Sequence, residues 1–97
     1  MAILLKRDEV MDTAGKYLEG SKTIDELLQM LDSEQQKLEE NWEGGAFDSF
    51  ADQYDELKPK IQDFSELLSD INEQLKNVVK VMEETDDAIR SAISGGK

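Results

Sequence analysis

Carboxylates are the side chains with which this sequence could do chemistry, because they are numerous while imidazole and thiol groups are missing. The 97 residues include 23 Asp and Glu, but no His and no Cys. The chain therefore lacks the commonest general base, a thiol nucleophile and the ligands of a zinc–thiolate site. It also lacks the Glu-x-x-His pairs of di-iron bundles, the Asp-x-Asp-x-Asp-Gly calcium loop and the Gly-x-Ser-x-Gly elbow of hydrolases. We expect no enzymatic activity, no metal and no cofactor.

The net charge of −12 limits the partners that the chain could have. An acidic surface repels polyanions, which argues against nucleic-acid binding, and it also disfavours an approach to anionic membranes. The longest apolar run near the start covers residues 2–5. A secretory signal needs about 7–15 apolar residues and a membrane span about 20. If the protein is secreted, we expect a route that does not use a cleavable N-terminal signal peptide.

Helices must position these carboxylates, because apolar residues recur at alternating spacings of three and four on both sides of residues 42–45. A mean step of about 3.5 residues is typical of helices with left-handed, knobs-into-holes packing. We therefore predict an all-α fold with a single domain over residues 1–97. Its elements are a first helix at about 8–41, a turn at 42–45, a second helix at about 46–93 and a flexible tail at 94–97.

The apolar stripes of both predicted helices are wider than a two-stranded seam requires. Met11 and Leu27 flank the first stripe, and Leu67 and Val81 flank the second. Stripes this broad usually face two neighbours, as in a four-helix bundle, and a two-fold homodimer is the commonest oligomer. We therefore predict that two hairpins pair. The residues predicted to line the hairpin and dimer seams are Tyr17, Ile24, Leu28, Leu31, Leu38, Phe47, Phe50, Leu57, Ile61, Phe64, Leu68, Ile71 and Leu75.

Two features of the seams leave alternatives open. Ser21, Gln35 and Thr85 are polar positions on them, and they could set the register of either a homodimer or a heterodimer. Pro59 removes a backbone donor at a cost of about 3 kcal/mol in a helix interior, so the second helix either kinks or breaks there. The seam passes Pro59 without a phase slip, which favours a kink.

The most informative motif is Trp42-Glu43-Gly44, at the centre of the chain. A Gly two positions after a Trp is common by chance, and a hairpin turn alone could explain it. Here, however, the sole Trp lies midway along a 97-residue acidic chain, between two heptad arrays. In these features the sequence resembles the WXG-100 family, the early-secreted-antigen-like proteins of bacterial type VII (ESX) secretion systems, over essentially its whole length.

The resemblance implies a fold, a mode of export and a partner. Members of that family are helical hairpins that dimerise antiparallel into an elongated four-helix bundle. The folded dimer is exported after recognition by a membrane-anchored ATPase of the FtsK–SpoIIIE type. Carried over to this chain, Trp42 and Gly44 would shape one end of the dimer, close to the C-terminal helix of the second protomer.

A second feature implied by the resemblance is a C-terminal export signal. Many family members or their partners carry Tyr-x-x-x-Asp or Tyr-x-x-x-Glu just beyond the last heptads. This chain has Met82 where the Tyr would be, followed by Asp86 in the acidic position. A looser pattern of hydrophobic residues around the acid adds Ile89 and Ile93. Any amphipathic helix supplies such apolar positions, so an ordinary solvated acidic face is the competing interpretation.

Three functions are compatible with the sequence. The leading one is a secreted effector or interaction and adaptor module, exported as a folded homodimer. The second is a cytosolic helical chaperone or adaptor that pairs with another family member or with the N-terminal hairpin of a larger secreted effector. The third is a membrane-active effector that exposes its seam to lipid, which the net charge disfavours.

Overall fold

Two long helices form the part of the chain that the computed structural model describes, residues 6–95. Helix α1 spans Arg7–Asn41 and helix α2 spans Ala46–Gly95, with 35 and 50 residues. They fold back on each other through residues 42–45 into a rod of 83 × 20 × 18 Å. Between residues 6 and 95 there is no strand. The prediction of an all-α helical hairpin is confirmed.

The helix bounds differ from the predicted ones by one residue at the start of α1 and by two at the end of α2. Helix α1 begins at Arg7 and carries Asp8 and Glu9 in its first turn, where the helix dipole favours anions. Helix α2 extends to Gly95, so Ser94 is helical, whereas the sequence placed it in a flexible tail. The remainder of that predicted tail, residues 96–97, lies outside the described residues, as do residues 1–5.

Pro59 lies inside α2, and the helix continues through it without a break. Its side chain is exposed. Water can therefore satisfy the carbonyl that the missing N–H leaves without a helical partner. Packing along the whole length of α1 holds the two halves of α2 in line, because residues on both sides of Pro59 contact α1. The alternative of a broken second helix is therefore wrong.

The interior of the hairpin is built from small and polar side chains. Asn72 is 1% exposed, and its amide nitrogen donates a hydrogen bond of 2.6 Å to the carbonyl oxygen of Ala14. The hydroxyls of Ser21 and Ser65 lie 2.9 Å apart, and the Ser65 hydroxyl is also 2.7 Å from a carboxylate oxygen of Asp25. These bonds satisfy the buried polar groups, which would otherwise destabilise the fold. The buried residues are Ala14, Ser21 and Leu28 on α1 and Ser65, Asn72 and Val79 on α2.

These hydrogen bonds define an antiparallel heptad register. A step of seven residues along α1, from Ala14 to Ser21, corresponds to a step of seven in the opposite direction along α2, from Asn72 to Ser65. Gly20 assists the close approach, because a Cβ added there would lie 3.3 Å from Cδ1 of Leu68. A slip by one heptad would separate Ser65 from Ser21 and Asn72 from Ala14, so the polar positions favour a single register.

The turn between the helices depends on Gly44. Its φ angle is +107°, in the region that L side chains rarely adopt. A Cβ added at Gly44 would meet no atom within 4 Å, so the requirement for glycine is conformational and not steric. Trp42 caps α1 with extended backbone angles and lies two residues before Gly44. The turn therefore fixes where the Trp42 side chain emerges.

The two helices differ in length, so α2 extends beyond the start of α1. At about 1.5 Å per residue, the 15 additional residues of α2 correspond to roughly 20 Å. An ion pair between Arg7 and Glu83 marks the level at which α1 begins. We call residues 84–95 of α2 the overhang. The side chains of residues 84–94 are all exposed.

We predict that the Asn72→Ala variant is about 1–3 kcal/mol less stable than the Asn77→Ala variant at equal protein concentration. Both changes have the same effect on helix propensity, but only Asn72 is buried and hydrogen-bonded to α1. Asn77 is exposed on the same helix. Urea unfolding followed by circular dichroism measures the difference. Equal midpoints and slopes would show that the Asn72 contact does not stabilise the hairpin.

Candidate functional site

The candidate site is an apolar face that one chain leaves open to solvent. On α2, Leu57, Phe64 and Val78 are 51%, 53% and 47% exposed. They lie on one heptad column with Phe50 and Ile71, so they form a continuous line along the rod. Monomeric soluble proteins rarely expose contiguous apolar surface on this scale, which indicates an interaction site.

Helix α1 contributes to the same face. Leu31 and Leu38 line a groove of about 320 Å³ together with Phe50 and Tyr54 of α2. A second groove of about 250 Å³ brings Tyr17 next to Leu68. We call the resulting surface the apolar face, and its residues are Tyr17, Ile24, Leu31 and Leu38 on α1 and Phe50, Leu57, Phe64, Ile71 and Val78 on α2.

The structure divides the predicted seam residues into three groups. Leu28 is buried between the helices. Phe50, Leu57 and Phe64 are exposed on the apolar face. The others are half-buried between these extremes: Tyr17, Ile24, Leu31, Leu38, Phe47, Ile61, Leu68, Ile71 and Leu75.

An aromatic cluster occupies the turn end of the rod. The ring centroids of Trp42 and Phe50 lie 5.9 Å apart in a stacked arrangement, and Phe47 lies 5.8 Å from Trp42 in a tilted one. Such contacts stabilise the turn beyond the burial of apolar area. Trp42 is nevertheless 36% exposed. Gly44 places no side chain over it, so the indole is accessible from the end of the hairpin.

The residues of the predicted C-terminal signal lie at and beyond the level where α1 begins. Met82 is half-buried, whereas Asp86 is exposed in the overhang. Ile89 and Ile93 are 54% and 73% exposed. The four side chains thus follow one another along α2, and Asp86, Ile89 and Ile93 lie in the overhang, beyond the start of α1.

A polar groove marks the side of the hairpin where Pro59 lies. It has a volume of about 480 Å³ and is lined by hydroxyls, carboxylates and an amide, among them Ser65, Asp63 and Gln62. None of the apolar-face residues contributes to its lining. The hairpin is therefore amphipathic as a whole, with an apolar face and a polar groove.

A polar contact between the helices adjoins that groove. Tyr54 donates a hydrogen bond of 2.6 Å to one carboxylate oxygen of Asp32, and Lys58 donates one of 2.8 Å to the other. The hydrogen bonds from Lys58 and Tyr54 hold the pKa of Asp32 below its usual value. Burial, together with the hydrogen bond to Asp32, raises the pKa of Tyr54 to about 12. The contact ties α1 to α2 in the turn of α2 that directly precedes Pro59.

Sequence reasoning missed several of these residues. Ser65 and Asn72 are polar, so they were not assigned to the seam, although they lie seven residues apart on one column with Val79. Asp32 was missed because its partners are on the other helix. The seven-residue spacing of Lys58, Ser65, Asn72 and Val79 is the signal that could have revealed this column.

Two properties of the described part of the chain concern membranes and metal ions. No helix within residues 6–95 is both long and apolar enough to cross a membrane. Over the same residues, no three or more carboxylates are grouped so that they could hold a metal ion.

The fold and site define a class of small helical hairpins with an apolar face and an aromatic turn. Comparison with known proteins agrees. The sequence profile described as "Proteins of 100 residues with WXG" matches residues 5–87. The chain therefore belongs to the WXG100 family.

Individual relatives cover nearly the whole chain. An ESAT-6-like protein of Streptococcus agalactiae is 47% identical over 93 residues, which are 96% of this chain and 97% of the relative. Type VII secretion system extracellular protein A of Staphylococcus aureus is 32% identical over 87 residues, 90% of each chain. The crystal structure of EsxA from Geobacillus thermodenitrificans is similar with a TM-score of 0.81 and 32% identity, covering 92% of this chain and 99% of that one.

We predict that Tyr54 titrates at about pH 12 in the folded protein and near its ordinary value of about 10 in urea. Because the folded pKa is the higher one, the Tyr54 contact stabilises the fold fully below pH 10, and this contribution is lost between about pH 10 and pH 12. The Tyr17→Phe variant leaves Tyr54 as its only tyrosine, so absorbance of the tyrosinate reports the pKa directly. Adding Asp32→Asn to that variant should lower the pKa towards 10. An unchanged pKa would show that Asp32 does not influence Tyr54.

Proposed function

We propose that this protein is a non-enzymatic substrate of a type VII secretion system, exported as a folded antiparallel dimer that acts as a secreted effector or adaptor. Membership of the WXG100 family supports the proposal, as does its similarity to a protein named type VII secretion system extracellular protein A. The structural observation that carries it is the exposed line of Leu57, Phe64 and Val78 on the apolar face.

A second copy of the chain is the partner that best fits this face. The face runs along the rod and includes half-buried residues of both helices. Two such faces in antiparallel contact would complete a four-helix bundle, with knobs from one hairpin entering holes of the other. Each large apolar side chain that becomes fully buried gains about 1.5–3 kcal/mol relative to full exposure, so residues already half-buried gain proportionately less.

Export requires features that the secretion machinery can recognise on the folded dimer. Trp42 and Gly44 supply one at the turn end, where the indole is accessible. The C-terminal part of α2 supplies the other, through Met82 and the overhang residues Asp86, Ile89 and Ile93. We propose that a membrane-anchored ATPase of the FtsK–SpoIIIE type recognises these features.

We predict that the particle in solution has twice the 11.0 kDa mass of one chain. The Phe64→Asp variant should dissociate to single chains, because it places an unpaired charge in the proposed interface. Gln62→Asp adds the same charge in the polar groove and should remain paired. Light scattering coupled to size-exclusion chromatography measures both.

Two results would contradict pairing with itself. A wild-type chain that is monomeric at micromolar concentration would exclude the homodimer. If such a chain became folded and paired only on mixing with a different family member or with a larger effector, the chaperone and adaptor alternative would replace the proposal.

We predict that removal of residues 82–97 abolishes export while much of the bundle remains folded. Asp86→Asn alone should reduce export, whereas Asp87→Asn, which removes the same charge one residue further on, should not. Immunoblots of culture supernatant and cells measure export, and chromatography confirms that each variant remains paired. Normal secretion of the truncated chain would show that the signal lies elsewhere.

A further inference from the structure

The turn end combines exposed aromatic rings with a concentration of negative charge. Between Leu38 and Leu57 the sequence contains seven acidic residues and no Lys or Arg. All seven are exposed: Glu39, Glu40, Glu43, Asp48, Asp52, Asp55 and Glu56. Within residues 6–95, none of these seven carboxylates takes part in an ion pair. The carboxylates closest in sequence to Trp42 therefore interact only with solvent.

The carboxylates at the turn end differ from those on the acidic faces elsewhere on the rod. Most carboxylates in other regions have a basic residue within one helical turn, as with Glu34 and Lys37 or Glu73 and Lys76. At the turn end the nearest basic residues along the chain, Lys37 and Lys58, pair instead with Glu34 and Asp32, and like charges at close spacing destabilise the chain in isolation. We call Trp42 and Phe47 with Glu39, Glu40, Glu43 and Asp48 the turn-end patch.

The overhang of a second copy does not complement this patch electrostatically. In the antiparallel pair, the overhang of one chain would lie near the turn end of the other. The overhang and Glu83, which directly precedes it, contain four carboxylates and a single Arg. Two of those carboxylates, on Glu83 and Asp87, already pair with Arg7 and Arg90. The remaining charge has the same sign as the patch, so contact there is repulsive.

We propose that the turn-end patch binds a Lys- or Arg-rich amphipathic segment of another protein. Apolar residues of that segment would cover Trp42, which is 36% exposed. Its cations would pair with the surrounding carboxylates and interact with the face of the indole. The inference rests on the proposed recognition of the turn end and adds the chemistry of the partner.

The sole tryptophan provides the assay, because Trp42 lies in the patch itself. The probe is a synthetic peptide of about 18 residues, long enough to form a helix, with Leu on one face and Lys on the other. A second peptide has Glu in place of every Lys. The Lys peptide should change the Trp42 emission at micromolar concentration, and added salt should weaken its binding. Equal binding of the Glu peptide would overturn the proposal.

A pair of variants separates the patch from the net charge of the chain. In each, three Glu are changed to Gln and one Asp to Asn, so both lose four negative charges. Binding of the Lys peptide should weaken by about tenfold or more in the patch variant and by less than about threefold in the control. Equal weakening would overturn the proposal, since it would reflect net charge alone. The patch variant carries E39Q, E40Q, E43Q and D48N, and the control carries E19Q, E26Q, E66Q and D63N.

Two more measurements distinguish other occupants and other failures. If Trp42 emission changes with protein concentration and the Lys peptide cannot compete, a second copy occupies the patch and the proposal is wrong. If the peptide binds as stated but the patch variant is exported normally, the patch is a binding site for cationic segments but has no role in export. If export is lost but the peptide does not bind, the proposed function stands and the cationic partner is excluded.

Discussion

Helix α2 presents its smaller and more polar column to α1 and its larger apolar column to solvent, and this arrangement determines the behaviour of the hairpin. Inside, Ser65 and Asn72 form hydrogen bonds that satisfy buried polar groups but bury little apolar area. Outside, Leu57 and Phe64 remain about half exposed. Ordering the backbone costs about 1–2 kcal/mol per residue, and a hairpin with this interior recovers little of it. The hydrophobic stabilisation that the sequence can supply thus depends on a surface that a partner must cover.

The polar interior also determines where the ends of the rod lie. Hydrophobic columns alone tolerate slippage, because one heptad of Leu and Ile resembles the next. Asn72 and Ser65 donate hydrogen bonds to α1, and Tyr54 donates one to Asp32. All of these bonds are made in one register. That register leaves the aromatic turn at one end and the overhang at the other. The same few polar residues that reduce the apolar area of the core therefore hold the two proposed recognition features in a constant spatial relation.

Periodicity in the sequence was sufficient to predict the helices and the turn. It was not sufficient to predict which column of each helix faces the other helix. An apolar stripe identifies the most hydrophobic column of a helix, which on α2 contains Phe50, Leu57 and Phe64. It does not specify whether that column faces the other helix of the same chain or a second chain. The Asp32–Tyr54 contact shows the same limit, because it joins residues of two helices whose register is set by Asn72 and Ser65. Polar residues at seven-residue spacing carry that information only once both helices are known to run antiparallel.

An elongated shape makes the proposed pairing of two copies compatible with a charge of −12 on each chain. Charges separated by more than the Debye length, about 8 Å at physiological ionic strength, are largely screened. Along a rod of 83 Å each carboxylate is therefore screened from most of the others, and those near a contact contribute most to the electrostatic part of its free energy. The apolar face consists of apolar and aromatic side chains, so their burial would dominate there. At the ends, carboxylates surround the aromatic turn and occupy the overhang, so charge decides which partner can approach. The proposed pairing along the face and the proposed recognition at the ends would thus be governed by different forces on one molecule.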